Sequence, residues 1–250
     1  MIEILNLTKT FGEYVAVDDC TWTVKDGAIT GFIGPNGAGK TTMMKMISGV
    51  LKPTKGQIFL NGIEIAENPL YAKKQFGFVS DSPDHFLRLK GIEYLNFMAD
   101  IYDMPQEGRA DFIEDYATRF DIRDALNNKI LSYSHGMRQK IMVMGALIHK
   151  PSIWILDEPM LGLDPQAAFE LKQMMREHAA AGNSVLFSTH VLEVAEKLCD
   201  RIAVIRKGEI QFTGTLDELR AGHAPGATLE EIFLQLTGEK QATDDPVTEG

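Results

Sequence analysis

The sequence predicts an α/β fold: a parallel sheet flanked by helices, preceded by an antiparallel β region and interrupted by an inserted helical region. Three observations predict it. Strand-like runs at Ile153 to Leu156, Ser184 to Ser188 and Ile202 to Ile205 alternate with helical stretches at Pro165 to Ala181 and Val191 to Leu198. A further apolar run, Ile29 to Ile33, enters a glycine-rich loop and leaves it as a helix-period pattern, Met43, Met44, Met46 and Ile47, that stops at Gly49. Between about Asp84 and Lys150 the strand signal vanishes, and Ile92 to Tyr102, Arg109 to Phe120 and His135 to His149 read as amphipathic or buried helices.

At the front, β-branched and apolar residues partly alternate with polar ones from Ile2 to Leu5 and from Val15 to Val24. Asn61-Gly62, between Phe59-Leu60 and Ile63, carries the signal of a tight hairpin, so this part is expected to be antiparallel. Gly182 and Asn183 supply a helix stop, and Lys207-Gly208 turns one strand into the next. Glu239 to Gly250 is polar and aperiodic and is expected to be a mobile tail, which leaves residues 1–238 as one domain with a helical subdomain at about 84–150.

Composition sets outer limits. With 44% hydrophobic and 24% charged residues in 250, the chain has the proportions of an ordinary globular protein. Its 25 Lys and Arg against 35 Asp and Glu give a formal charge of −10, which disfavours counterion-driven binding to nucleic acid. Cys20 and Cys199 form neither a metal pattern nor a disulfide framework, as expected of a reducing, cytoplasmic compartment. The longest nearly pure apolar stretch, Ile141 to Ile148, is far below the roughly 20 residues of a membrane helix, so the chain is not expected to span a membrane itself.

The chemistry lies in three stretches. Gly34-x-x-x-x-Gly39-Lys40-Thr41 matches the phosphate loop at every fixed position and sits after a strand and before a helix. Its glycines let backbone N–H groups close around a polyphosphate, Lys40 reaches the β and γ phosphates, and the Thr41 hydroxyl is placed for Mg²⁺. The apolar strand Ile153 to Leu156 delivers Asp157 and Glu158 at its carboxyl end, where nucleotide sites form in open α/β sheets. Asp157 suits Mg²⁺, and Glu158 suits a water aimed at the γ-phosphate. Ser134 precedes a long apolar helix and is expected near its N-cap, which offers a second phosphate contact.

In this order the motifs make the chain resemble the nucleotide-binding subunit of an ATP-binding cassette (ABC) transporter, over about Ile2 to Gly238. The phosphate loop is Gly34 to Thr42, the signature Tyr133 to Met137, the Walker B strand Ile153 to Glu158, the D-loop Leu161-Gly162-Leu163-Asp164, and the switch histidine His190. The resemblance implies a P-loop NTPase core of ABC type, ATP as substrate and Mg²⁺ as cofactor, the ion held by Thr41 and Asp157. It assigns nucleotide binding to Asn36, Gly37, Ala38, Gly39, Lys40, Thr41 and Thr42. Phe11, before Gly12, fits the position that stacks on adenine. Glu158 takes the place of the catalytic base and His190 that of the residue touching the γ-phosphate. Ser134, Gly136 and Asp164 would act in trans, on ATP held by a second ABC subunit, which implies a sandwich dimer.

Two positions depart from the family pattern. The usual Leu-Ser-Gly-Gly-Gln is here Tyr-Ser-His-Gly-Met, which leaves open any trans contact by His135. Asp81 replaces the glutamine that follows the strand around Phe76 to Ser80, and either contacts the metal or caps its own loop. The signature variant and the ending Leu229 to Gly238 resemble bacterial export-type cassettes, which work with an integral membrane permease from the cytoplasmic, inner face of the cell membrane. Phe86, Leu87, Tyr94, Phe97, Met98 and Tyr102 fall in the helical region such cassettes use to grip the permease, although most also suit a core. The alternative reading is a soluble ABC ATPase that serves assembly or regulation without transport.

Overall fold

Strands buried on both faces and strands buried on one face separate into two sheets. The computed structural model describes residues 1–224 and 226–238. β1 (Ile2–Phe11), β2 (Tyr14–Val24), β4 (Lys55–Leu60) and β5 (Ile63–Glu64) form an antiparallel sheet in the order β2-β1-β4-β5. In β2 buried and exposed residues largely alternate, as in a sheet with one face on the core. The strand expected from Ile2 to Leu5 continues to Phe11, because register shifts after Ile4 and Leu7 break the alternation that would have revealed its second half.

The second sheet has the order β10-β9-β3-β8-β7-β6. It contains β3 (Ala28–Ile33), β6 (Phe76–Val79), β7 (Ile153–Asp157), β8 (Ser184–Thr189), β9 (Arg201–Arg206) and β10 (Glu209–Gly214). All contacts are parallel except β9 with β10, which turn through Lys207 and Gly208. Every residue of β3, β7 and β8 is buried, the mark of strands covered on both faces. Trp154 and Leu156 face the helical core, whereas Ile153 and Ile155 face the core beneath the antiparallel sheet. Trp22 stacks on Phe32 with centroids 5.1 Å apart, joining the two sheets at a gain of about 1 kcal/mol.

Helices α1 (Lys40–Ile47) and α2 (Pro69–Lys73) lie in the front half of the chain. Between β6 and β7 come α3 (Gly91–Ile101), α4 (Arg109–Arg119) and α5 (His135–Leu147), followed by α6 (Pro165–Ala180), α7 (Leu192–Leu198), α8 (Leu216–Ala221) and α9 (Leu229–Thr237). α2 and α8 have only 5 and 6 residues, too short to show a helical period. Of the aromatic and apolar residues singled out between α3 and its approach, Tyr94 is buried, whereas Phe86 and Phe97 are exposed and pack with their rings tilted by 55°, centroids 5.7 Å apart. Cys20 and Cys199 are free thiols. Among the described residues no helix is long and apolar enough to cross a membrane. The tail 239–250 lies outside the described residues.

Candidate functional site

The carboxyl ends of β3, β7 and β8 converge on the amino end of α1. Gly39 is the N-cap of α1 at φ 108°, a conformation open to glycine, and a Cβ there would stand 2.5 Å from the Ala16 carbonyl oxygen. No side chain caps this helix and its first turn holds no acid, so its leading N–H groups keep their capacity for an anion. The Lys40 side chain is only 7% exposed, and its Nζ donates to the carbonyls of Gly34 (2.7 Å) and Pro35 (3.1 Å). Burial pushes the Lys40 pKa down, while the carboxylates of Glu158 and Asp157 act to hold it up. The cation is therefore pinned to the loop and 3.9 Å from Glu158 Oε1.

Parallel pairing of β7 with β8 places Asp157 opposite Ser188. The Ser188 hydroxyl donates to Asp157 Oδ1 and accepts the N–H of Glu158 at 2.9 Å. Asp157 is fully buried and its Oδ2 has no partner. Burial raises its pKa most, the Ser188 and Thr41 hydroxyls oppose the rise, and the charge of Asp81 adds to it. Glu158 sits at φ 48°, in the left-handed region where a side chain costs roughly 1–2 kcal/mol. That turn carries its carboxylate off the strand to His190, whose Nδ1–H donates to Oε1 at 2.9 Å.

Lys40, Glu158 and His190 share one cavity of about 430 Å³. Its walls include Phe11, Asn36, Gly37, Gly39, Lys40, Thr41, Thr42, Asp81, Glu158 and His190, together with Tyr14, Ala16 and Leu161. Ala38 is not among them. It is buried, its N–H is donated to Pro35 at 3.2 Å and its carbonyl accepts from Gly208 at 2.9 Å, so that N–H is spent inside the loop. Asp81 lines the cavity and also accepts from the Ser80 hydroxyl at 2.9 Å. Phe11 and Tyr14 pair across the turn between β1 and β2 and are half exposed or more, leaving ring faces for a planar group.

Mg²⁺ fits this donor set. It takes hard oxygens and normally binds through one or two carboxylates plus substrate phosphates and water. The unpartnered, buried Asp157 Oδ2 beside the Thr41 hydroxyl is such a set. No group of three or more His, Cys, Asp or Glu side chains that could hold a metal ion occurs among the described residues.

Ser134, Gly136 and Asp164 lie outside the cavity walls. Ser134 is the exposed N-cap of α5 and accepts the Met137 N–H at 3.2 Å. Asp164 caps α6 by accepting the Ala167 N–H at 2.8 Å, and its other oxygen is 3.1 Å from Lys140 Nζ. The Ala167 N–H first, then Lys140, hold its carboxyl below the usual range. Sequence reasoning missed two site residues. Tyr14 was findable from its place opposite Phe11 across a Gly12-Glu13 turn, whereas Ser188 carries no signal until β7 and β8 are aligned.

The ABC transporter family matches residues 17–161, more than half of the chain. Similar proteins include the ABC-type transporter ATP-binding protein EcsA of Bacillus subtilis (strain 168), 35% identical over 240 residues that cover 96% of this chain and 97% of EcsA. Among solved structures, the ATP-binding subunit of an ABC transporter superposes with a TM-score of 0.90 at 32% identity, covering 94% of this chain and 99% of that one. The ATP-binding cassette MJ0796, solved as a dimer in a post-hydrolysis state bound to ADP and Pi, gives a TM-score of 0.77 at 25% identity, over 86% of this chain and 99% of that one.

Proposed function

The chain belongs to the ABC transporter family as one of its ATP-binding proteins, and from that premise we propose that it hydrolyses ATP in a sandwich dimer to drive a membrane permease, in the direction of export. One observation carries the reading: Lys40, Glu158 and His190 meet in a single cavity above a buried carboxylate with a free oxygen. The leading N–H groups of α1 and Lys40 bind the β and γ phosphates. Phe11, with Tyr14, stacks on the adenine. Thr41 and Asp157 hold Mg²⁺, which supplies positive charge against the phosphates. Glu158 accepts the proton of the attacking water, and its bond to His190 keeps the carboxylate in place while His190 faces the γ-phosphate.

Ser134 and Gly136 stand apart from this cavity, which supports their service to ATP held by a second subunit, with Asp164 beside them at the shared face. The signature variant and the ending Leu229 to Gly238 support export, and the exposed pair Phe86 and Phe97 offers the permease an apolar foothold from the cytoplasmic face of the membrane. Glu158→Gln tests the centre: nucleotide binding is retained while turnover falls about 100-fold or more. A mutant that hydrolyses at the parent rate removes Glu158 as the base. Co-purification of a multi-spanning permease from native membranes sustains transport, whereas an active ATPase that brings no membrane partner points to a role in assembly or regulation.

A further inference from the structure

The amino end of α5 is fastened to the loop between Glu158 and Asp164 at three points. The His135 ring lies against Gly162 so closely that a Cβ on that glycine would be 2.4 Å from Cδ2 of the ring. One residue on, a Cβ on Gly136 would be 2.9 Å from the Gly162 carbonyl oxygen, so the two backbones are already in contact. One turn further along the same face, Lys140 reaches Asp164 Oδ2 at 3.1 Å with a side chain only 11% exposed. The loop so held begins at Glu158 itself, which closes its first turn by accepting the Leu161 N–H at 3.2 Å.

We propose that His135 is a positioning residue that latches the Ser134–Gly136 end of α5 to the Glu158–Asp164 loop, so that one subunit's own catalytic glutamate and the serine it presents to the partner's ATP move as a single unit. The proposal rests on the trans role given to Ser134 and Gly136 above. His135 is exposed at the start of a helix whose cap bond is made by Ser134, through the Met137 N–H. Its specific contact is with a glycine at φ 75° whose missing side chain leaves room for the ring. Closure of the γ-phosphate site around Glu158 therefore reaches the signature end of the same subunit through a rigid contact rather than through a free loop.

The test uses the full chain carrying Glu158→Gln, with ATP-dependent dimerisation followed by light scattering and the ATP affinity of the monomer by calorimetry. Adding His135→Ala is expected to weaken the dimer about tenfold while leaving monomer affinity for ATP unchanged. Lys140→Met, at a side chain buried behind the contact, is expected to weaken it in the same direction. Gly162→Ala also weakens the dimer, and the decisive protein adds His135→Ala to it: removal of the ring relieves the clash, so the combination dimerises no worse than Gly162→Ala alone. The backbone strain at φ 75° is common to both proteins and cancels in that comparison. Effects of the two substitutions that simply multiply would mean that His135 and Gly162 act independently, and they overturn the latch, as would dimerisation indifferent to His135→Ala. If the Glu158→Gln chain itself stays monomeric in ATP, the trans reading falls and the latch with it.

Discussion

α1 and α5 both begin where a loop delivers a helix amino end to the surface, yet the two ends are finished differently. At α1 the N-cap is Gly39, no side chain satisfies the leading N–H groups, and a buried lysine and two aromatic rings line the cavity there. At α5 the Ser134 hydroxyl already caps the helix, and Ser134 and His135 stand exposed outside the walls of that cavity. The first end holds its polar groups unsatisfied and walled, which is what a self-sufficient anion site requires. The second has one of its leading N–H groups capped by its own serine and stands outside that cavity, an arrangement that suits the trans contact proposed for it.

The largest break in that contrast would come from Lys40→Ala. If Lys40 faces the β and γ phosphates as proposed, its loss removes a charge-assisted contact of about 2–3 kcal/mol, and ATP affinity should fall roughly 100-fold in calorimetry. Unchanged affinity would mean α1 is not the phosphate site. Ser188→Ala sharpens the enclosed side. It strips Asp157 of its donor and the Glu158 N–H of its acceptor inside the core, so the urea midpoint should drop by the equivalent of about 2 kcal/mol.

Ser134→Ala is milder. Stability should fall by about 1 kcal/mol with loss of the cap, while the monomer binds ATP as before. Ser134→Arg in the Glu158→Gln protein should abolish ATP-dependent dimers in light scattering without touching monomer affinity. Weaker ATP binding by either monomer would place Ser134 in its own subunit's cavity and erase the difference between the two helix ends.

The smallest effect separates the two ends of α5. His149, just past its carboxyl end, stacks on Tyr102 at 3.7 Å and donates from Nε2 to the Phe76 carbonyl. Burial lowers its pKa to about 4, against the Phe76 bond, and burial likewise lowers that of His178 to about 4. Both rings are neutral in the folded chain, and the unfolded chain takes up their protons first. The stability they contribute is present above pH about 6.5 and is lost as the pH falls toward 4, by about 1 kcal/mol per pH unit for each ring. Thermal unfolding at pH 7, 6 and 5 should show the decline, and His149→Phe should flatten it. A slope untouched by His149→Phe would assign the acid sensitivity to other groups.

The parallel sheet was legible because strands buried on both faces read as unbroken apolar runs, and Ile153 to Leu156 ends in two carboxylates that no core strand needs. The phosphate loop was legible because glycine spacing, lysine and threonine each have one physical task at a fixed offset. The second half of β1 was hidden by its bulges, and α2 and α8 by their length. Ala38 satisfies the motif by position while its N–H is spent within the loop, a distinction that spacing cannot carry.

By itself, then, the sequence determined the local matters: the loop that wraps a phosphate, the strand that ends in Asp157-Glu158, and the serine that caps α5. Local chemistry acts over a few residues, and a few residues of sequence record it. Only the tertiary structure decided that Ser188 links Asp157 to Glu158, that Tyr14 joins Phe11 at the cavity, that His190 grips Glu158, and that the His135 ring lies on Gly162. Those pairs are separated by up to 32 residues of chain, and their contact depends on which strands lie side by side and on where a missing Cβ leaves space.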